Sequence, residues 1–562
     1  MKPIVRAVLA WMLLPMSLVA QALPTMNIGA ANGQATIWWT NGIGYSCSLQ
    51  SSTNLNDPEG WVDELKPLPT WGTTTVSLAT SPKFFRLASV YPLFQFAIFY
   101  NMNLEIASGS TFNIYGPACC NQNIWEGSTA LTFYSTVSAH GTNAVNIVDP
   151  FSWGYSNSAP AVFKLAGQPL NHAPQLTLPI GTNSSPGAVL SVIQLPPSPY
   201  DMGTTKAYSP SGLAYLANAV DIYITNFVWG TNAGLQLPKG TNFVAFLQNP
   251  GYGLNSLTQI PYDYFMITNG SAHVLWLTNN APTNIITGAT NIYYAGYSWA
   301  TNVAFYDWRE GWSTVNVKGK RVEAVQIDVT NFSIWLASSG NNGGFSWDAL
   351  KTTHSGNHIS SIYVHNSVPL TTSQLPAVRL VRGAQLPHPG GSTRGFTVAT
   401  QFPIYVLGDY NSQNNGQSAL GLGTTTNTLP AALWADSCTV LSDGWNDAYT
   451  SKLPFAGNTT VNAAMVAGIV PTNPDIYLNY SGGVENFLRL LENWNGNTLT
   501  YNGSIVALYP SQYATNYWRN PGTPGSLAYY NVPTRLWAFD LNFNNPAKLP
   551  PLTPIMQNFV AP

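Results

Sequence analysis

The stretch Leu104-Glu105-Ile106-Ala107-Ser108-Gly109-Ser110-Thr111-Phe112-Asn113-Ile114-Tyr115-Gly116 decides the fold of this chain. Leu104 with Ile106, and Phe112 with Ile114, alternate with polar residues, and Gly109 and Gly116 end each run. After Gly127 the pattern returns at Leu131 and Phe133. Alternation with a period of two, in runs this short and evenly spaced, is the mark of half-buried strands repeated along a β architecture. Residues 396–509 repeat it with Phe396 and Val398, Ile404 and Val406, Val461 with Ala463 and Met465, and Leu499 with Tyr501. No catalytic motif lies on either stretch, so the sequence points to an architecture and a compartment before it points to any activity.

Composition agrees with that reading. The chain has 562 residues, room for two to four domains of roughly 100–200 residues each. Its 45% hydrophobic content is ample for packed cores and excludes wholesale disorder. Only 8% of it is charged, so surface positions fall to Asn, Thr, Ser, Gln and Gly, residues that favour turns. With 47 Gly, 41 Pro and 13% aromatic residues, this is the profile of an extracellular β-protein. The formal net charge is −2, and the densest cationic spot, Lys318, Lys320 and Arg321, reads as a solvated loop. Nucleic-acid binding needs a basic stripe, and none is present.

The start of the chain reads as a signal peptide over 1–22. Lys2 and Arg6 precede an apolar run from Ala7 to Ala20, and Ala20-Gln21-Ala22 is an A-x-A cleavage site. No later run reaches the ~18 apolar residues that span a bilayer. The mature chain is therefore expected to be exported, in the periplasm, at the cell surface or outside the cell, with no transmembrane segment.

Residues 23–92 read as a small β-sandwich module. Ser48-Leu49-Gln50-Ser51-Ser52-Thr53-Asn54-Leu55, Trp61 and Phe84-Phe85-Arg86-Leu87 resemble a fibronectin-type-III-like sandwich of secreted bacterial proteins, with Trp61 and Phe85 in its core. Residues 93–208 hold the first strand-rich part and a Pro- and Asn-rich connection. Over 209–385 the texture changes to that of an α+β insertion. Ser209 and Pro210 open a helix through Asn218, Asp221-Ile222-Tyr223-Ile224 follows as a strand, and Thr330 to Leu336 reads as a second helix. Further strands are expected at Phe243–Leu247, Ala272–Leu277, Asn291–Ala295 and Val322–Val329. Residues 386–543 form the second strand-rich part. Within it Val484, Phe487, Leu488, Leu491 and Trp494 recur at helical spacing, and Glu485 and Arg489 sit at i, i+4, so a packing or capping helix is expected near 484–494. A Pro-rich tail covers 544–562.

These residues also carry a family resemblance. Ala97-Ile98-Phe99-Tyr100-Asn101-Met102-Asn103-Leu104-Glu105-Ile106 and Asn121-Gln122-Asn123-Ile124-Trp125 are one part of it. Thr397-Val398-Ala399-Thr400, Tyr405-Val406-Leu407-Gly408-Asp409-Tyr410-Asn411, Ser481-Gly482-Gly483-Val484-Glu485-Asn486 and Pro533-Thr534-Arg535-Leu536-Trp537-Ala538-Phe539-Asp540 are the other. Together they resemble the PilX-like, pilus-assembly-related bacterial envelope proteins. The resemblance implies a parallel β-helix, a solenoid whose rungs come from both sides of the insertion. Such relatives often keep a pilin-like N-terminal helix, whereas this chain has a cleavable leader and a sandwich.

Several constellations bear on chemistry. Asp409, Asp436, Asp443 and Asp447 are the densest acidic set. They read first as acceptors of turn amides. Hard oxygen donors with Asn411 and Asn446 also suit Ca2+, and paired carboxylates suit glycoside hydrolysis. Polysaccharide-cleaving β-helices typically carry Gly-His-Gly and paired Asp; here there is Ala139-His140-Gly141 and no Asp-Asp. His354, His358 and His365 include an H-x-x-x-H spacing, but Ser355-Gly356-Asn357 reads as a turn and makes them loop histidines. Among Cys47, Cys119, Cys120 and Cys438, a Cys120–Cys438 disulfide is the attractive pairing if the two strand-rich parts stack; buried free thiols are the other reading. No nucleophile elbow, phosphate loop or dinucleotide fingerprint occurs in a suitable context. The expectation is a non-enzymatic envelope or surface scaffold that is structural, adhesive or pilus-assembly-related. Its partners would be envelope or pilus components or surface glycans, and it would need no cofactor. The alternative is a glycan-binding or polysaccharide-active protein using exposed aromatics and the acidic set.

Overall fold

The computed structural model describes residues 25–40, 46–55, 60–66, 71–77, 83–106, 111–126, 130–145, 160–178, 184–202, 204–228, 241–247, 275–276, 299–311, 318–337, 346–367, 370–414, 417–418, 428–449, 453–472, 481, 483–518 and 529–560. The leader at 1–22 and the strand expected at 291–295 lie outside the described residues, as does most of the one expected at 272–277. The chain is mainly β, with long parallel sheets and small antiparallel ones, consistent with a β-solenoid plus small antiparallel sheets. It divides into two compact units.

The first unit holds residues 1–89, with 163–168 and 559–562. Strands Thr25–Ala31, Gln34–Thr40 and Trp71–Ser77 form an antiparallel sheet, and Ser46–Ser52 pairs antiparallel with Val62–Leu65. Asn32 and Gly33 both take positive φ in the tight turn between the first two strands, the Asn-Gly preference of two-residue hairpins. Met26, Ile37, Trp39, Cys47, Leu49, Phe85 and Leu87 make the core. Trp61, expected in that core, instead lies half-buried beneath Arg86, whose guanidinium stands 4.0 Å from the ring centre.

The second unit is organised by an 11-stranded sheet. Its order is Val137–Ala139, Ala118–Cys120, Ile98–Tyr100, Ile505–Pro510, Ala464–Ile469, Ala431–Ala435, Phe396–Ala399, Ser361–Asn366, Ile222–Val228, then Thr241–Leu247 and Leu275–Trp276. Every pairing from Val137 to Ile222 is parallel, and the last two strands turn back antiparallel. The first strand-rich part thus joins the array at its far end. Ile98, Phe99 and Tyr100 align with Ile505, Val506 and Ala507, more than 400 residues downstream. Residues 209–385, read as an insertion, supply four strands of this same sheet. A second sheet runs parallel from Lys320–Asp328 through Gln374–Gln385, Ile404–Asn414, Thr459–Asn462 and Thr498–Gly503 to Thr534–Phe539. In the first part, Leu104–Ile106, Ile124–Glu126 and Asn143–Val145 stack as a third face, and Phe112–Ile114 pairs with Leu131–Phe133. Ile98, Ala118 and Val137 recur about every 20 residues, inside the range of solenoid repeats.

Two devices hold the stack. The interior corners carry asparagine ladders, because a primary amide both donates and accepts and so pairs with a copy of itself one strand away. Asn121 Nδ2 donates to Asn101 Oδ1 at 2.8 Å, and Asn502 Nδ2 donates to Asn462 Oδ1 at 2.7 Å. Asn462 Nδ2 in turn donates to the Asn411 carbonyl at 3.0 Å. The second device is a cover. The connection after residue 169 crosses the large sheet: Asn121 bonds the Leu176 backbone, Asn101 Nδ2 donates to the Ser184 carbonyl, and Tyr363 Oη donates to the Ile193 carbonyl. Strands buried on both faces need no polar alternation, which is why Ala431–Ala435 is apolar throughout and wholly buried.

Two expectations need correction. The helix expected near 484–494 is a 3₁₀ turn, Val484–Asn486, followed by strand Leu488–Leu490, which pairs with Cys438–Leu441. Its apolar stripe has no opposing polar face, since Glu485 and Arg489 are buried too. The i, i+4 pair does not form; Arg489 bonds Glu310 instead. The Cys120–Cys438 disulfide is absent, and all four cysteines are free and buried. Cys120 belongs to the large sheet and Cys438 to the second, and the Cys120 thiol donates to the Met102 carbonyl at 3.0 Å. Ser209 does cap a helix with Pro210 in its first turn, but the helix stops at Leu213 and restarts at Leu216 after extended Tyr215.

Candidate functional site

The structure separates most of the acidic set. Asp436 is fully buried and accepts the backbone N–H groups of Gln512, Tyr513 and Ala514; burial raises its carboxyl to about 6 against those bonds. Asp447 is held by both terminal nitrogens of Arg379 and by Trp445 Nε1. Only Asp409 and Asp443 lie together. Asp409 accepts the Thr460 N–H at 2.7 Å, and burial, with the Asp443 charge as a smaller cause, raises it to about 6. Gly408, at φ +73, lets the chain pass Asp443, because a Cβ there would fall 2.1 Å from Asp443 Oδ1. Among the described residues no three His, Cys, Asp or Glu side chains gather as a metal site. Three of the four carboxylates accept backbone amides or an arginine, which is structural work.

The histidines separate as well. Helix Trp347–Ser355 ends at Gly356 in the left-handed conformation (φ +69), so His358 lies beyond it and His354 within it. The H-x-x-x-H spacing therefore does not bring two rings onto one helical face. His365 sits in strand Ser361–Asn366 between Tyr223 and Phe402, and burial lowers its imidazole to about 4.

His358 has a partner that sequence reasoning missed. Ser346 caps the helix by accepting the Ala349 N–H at 3.0 Å, which places Asp348 in the first turn. The Asp348 carboxylate is 5% exposed and bridges two groups: Oδ2 lies 2.7 Å from His358 Nδ1, and Oδ1 accepts the Ile359 N–H at 2.8 Å. Nδ1 is engaged by Asp348, and Nε2 is the ring nitrogen left for a second hydrogen bond. His358 lines a cavity of about 470 Å³ together with Ala337, Ser346, Thr352, Thr353 and Gly390. The one signal in the sequence was Ser346-Trp347-Asp348, a cap followed by a first-turn acid.

A second unforeseen feature is a buried ionic cluster. Arg489, 4% exposed, pairs with Glu310, which is 1% exposed and also accepts the N–H groups of Thr515 and Asn516. Tyr405 Oη donates to Asp307 Oδ2 at 2.6 Å, and Asp307 Oδ1 accepts the Arg309 N–H. Burial brings the Arg309 guanidinium down to about 9. The cluster ties the turn Asp307–Glu310 to strand Leu488–Leu490 and to the segment after Pro510. In a chain with 8% charge, four consecutive positions with three charges were visible, but not their partner 179 residues away.

No protein family, curated protein or solved structure matches this chain.

Proposed function

We propose that this is an exported, non-enzymatic cell-envelope or surface protein, a parallel β-helix preceded by a small β-sandwich, whose work is structural, adhesive or pilus-assembly-related. The observation that carries the reading is the seam between Ile98–Tyr100 and Ile505–Pro510, through which the two strand-rich parts share one parallel sheet. A column stacked in this way is a stiff, extended surface built from short-range pairing. Its polar groups support the reading, since three of the four acidic residues and the asparagine ladders are engaged in holding the stack. One end of the large sheet is covered, since Leu170 and Ala173 bond to the end strand Val137–Ala139. A covered end works against open end-to-end polymers. Export rests on the leader-like start, and the described residues include no helix long and apolar enough to cross a membrane.

Cell fractionation with protease shaving of intact producing cells tests the reading. Recovery in the envelope or outside the cell, with shaving of the chain, is expected; a cytosolic, protected pool overturns it. One observation favours the glycan-binding alternative: Tyr115, 54% exposed, stacks on Tyr134 at 4.5 Å, a flat aromatic surface of the kind sugar rings meet.

A further inference from the structure

We propose that the cavity beside the Asp348–His358 pair binds a neutral, polyhydroxylated small molecule about the size of one sugar ring. Its volume, about 470 Å³, falls within the range of small-molecule sites. The lining chooses the chemistry. Thr352 Oγ1 and Thr353 Oγ1 donate to the carbonyls of Asp348 and Ala349, so toward the cavity these hydroxyls offer lone pairs. His358 Nε2 offers another in the neutral tautomer that carries its proton on Nδ1 toward Asp348. A ligand rich in O–H donors meets such a surface, and Ala337, Ala349 and Pro389 give its carbon skeleton an apolar floor.

Other ligands fit worse. Among the described residues no cation lines the cavity: Lys351 pairs with Asp221, and Arg394 donates to Asn357, so these offer phosphate or carboxylate no counter-charge. Among the described residues that line it there is no aromatic ring to stack on a nucleobase. Asp348 is buried and each of its oxygens already has a partner, which disfavours an amine.

The imidazole is more than a staple. Asp348 Oδ1 already ties the helix start to the chain at Ile359, without the ring. The turn Pro389–Gly391 is nevertheless shaped around it. Gly390 takes φ +60, and a Cβ there would fall 2.7 Å from the ring carbon Cε1. The loop therefore packs closely on the Cε1 side of the ring while a third of the side chain, 34%, stays accessible.

The test is ligand-observed saturation-transfer NMR on the full chain with D-glucose, D-galactose and N-acetyl-D-glucosamine at about 10 mM, followed by titration. Binding of at least one sugar is expected, weakened about tenfold by His358→Ala, the worth of one hydrogen bond to a held group. Inorganic phosphate and putrescine serve as charged controls. Should His358→Ala melt early, Ala349→Leu fills the cavity while keeping the pair and must abolish the transfer. No transfer from any sugar, undiminished binding in either folded variant, or preferential binding of phosphate or putrescine overturns the proposal.

Discussion

Replacing Asn462 by alanine tests whether the asparagine ladder holds the stack. Asn462 is 2% exposed and sits between two neighbouring strands. Its Nδ2 donates to the Asn411 carbonyl at 3.0 Å, and its Oδ1 accepts from Asn502 Nδ2 at 2.7 Å. Alanine removes both bonds at ~1 kcal/mol each and takes from the Asn502 amide a buried acceptor, a further 1–3 kcal/mol, for a total of about 3–5 kcal/mol. Urea titration followed by tryptophan fluorescence should show that loss as a lower midpoint with an unchanged slope. Asn502→Ala breaks the same 2.7 Å bond from the other side, so the double variant should cost about 1–2 kcal/mol less than the two single costs added. A single-variant loss below about 1 kcal/mol, or strict additivity of the pair, would refute the ladder as a stabilising device.

Three further outcomes follow from buried groups. Burial raises Glu492 from 4.5 to about 7, against hydrogen bonds from Ser442 that lower it. Its folded value lies above its unfolded one, so the protonated carboxyl adds stability that is complete below pH 4.5 and lost as pH climbs toward 7. The loss is roughly 3 kcal/mol at 1.36 kcal/mol per unit; Glu492→Gln should flatten that part of a urea-midpoint profile, and an identical slope in the variant contradicts the assignment. Arg489→Met leaves Glu310 buried without its cation and should cost about 3–5 kcal/mol, most of it recovered when Glu310→Gln is added. A double variant as unstable as Arg489→Met alone would count against the pair. Four thiols should react with Ellman's reagent only on unfolding, and reductant should leave the melting temperature unchanged; fewer than four means a bridge exists.

What the sequence made legible was local. The three-residue strands at Leu104, Phe112 and Leu131 stand where alternation and glycine punctuation put them, because each has one inward face and tight corners. Ser209 and Pro210 start a helix and Val329–Ala337 is one, as cap and period indicate. What failed depended on burial from all sides. Around Leu488 a helical spacing of apolar residues arose without a polar face, and the segment became a strand because Cys438–Leu441 offered it a ladder. The candidate site was hidden for a different reason: Asp348 and His358 are ten residues apart and meet only because Gly356 turns the chain back after one short helix.

The scarcity of charge follows from the same geometry. In a parallel stack, equivalent positions on adjacent strands sit ~4.8 Å apart, so a charge at a repeated corner faces its own kind and destabilises the pair. An amide does not, since it donates to the copy on one side and accepts from the copy on the other. Neutral amides accordingly occupy such positions at Asn101 and Asn121, and at Asn462 and Asn502, with Asn462 also bonding the backbone carbonyl of Asn411. Of the buried charges, Glu105, Glu126 and Arg379 lie within stacked strands, whereas three pairs join connections to the stack: Glu310 with Arg489, Asp221 with Lys351, and Asp348 with His358. Each of those pairs fixes a non-repeating segment on the repeating strands, and the cavity at His358 lies beside one of them.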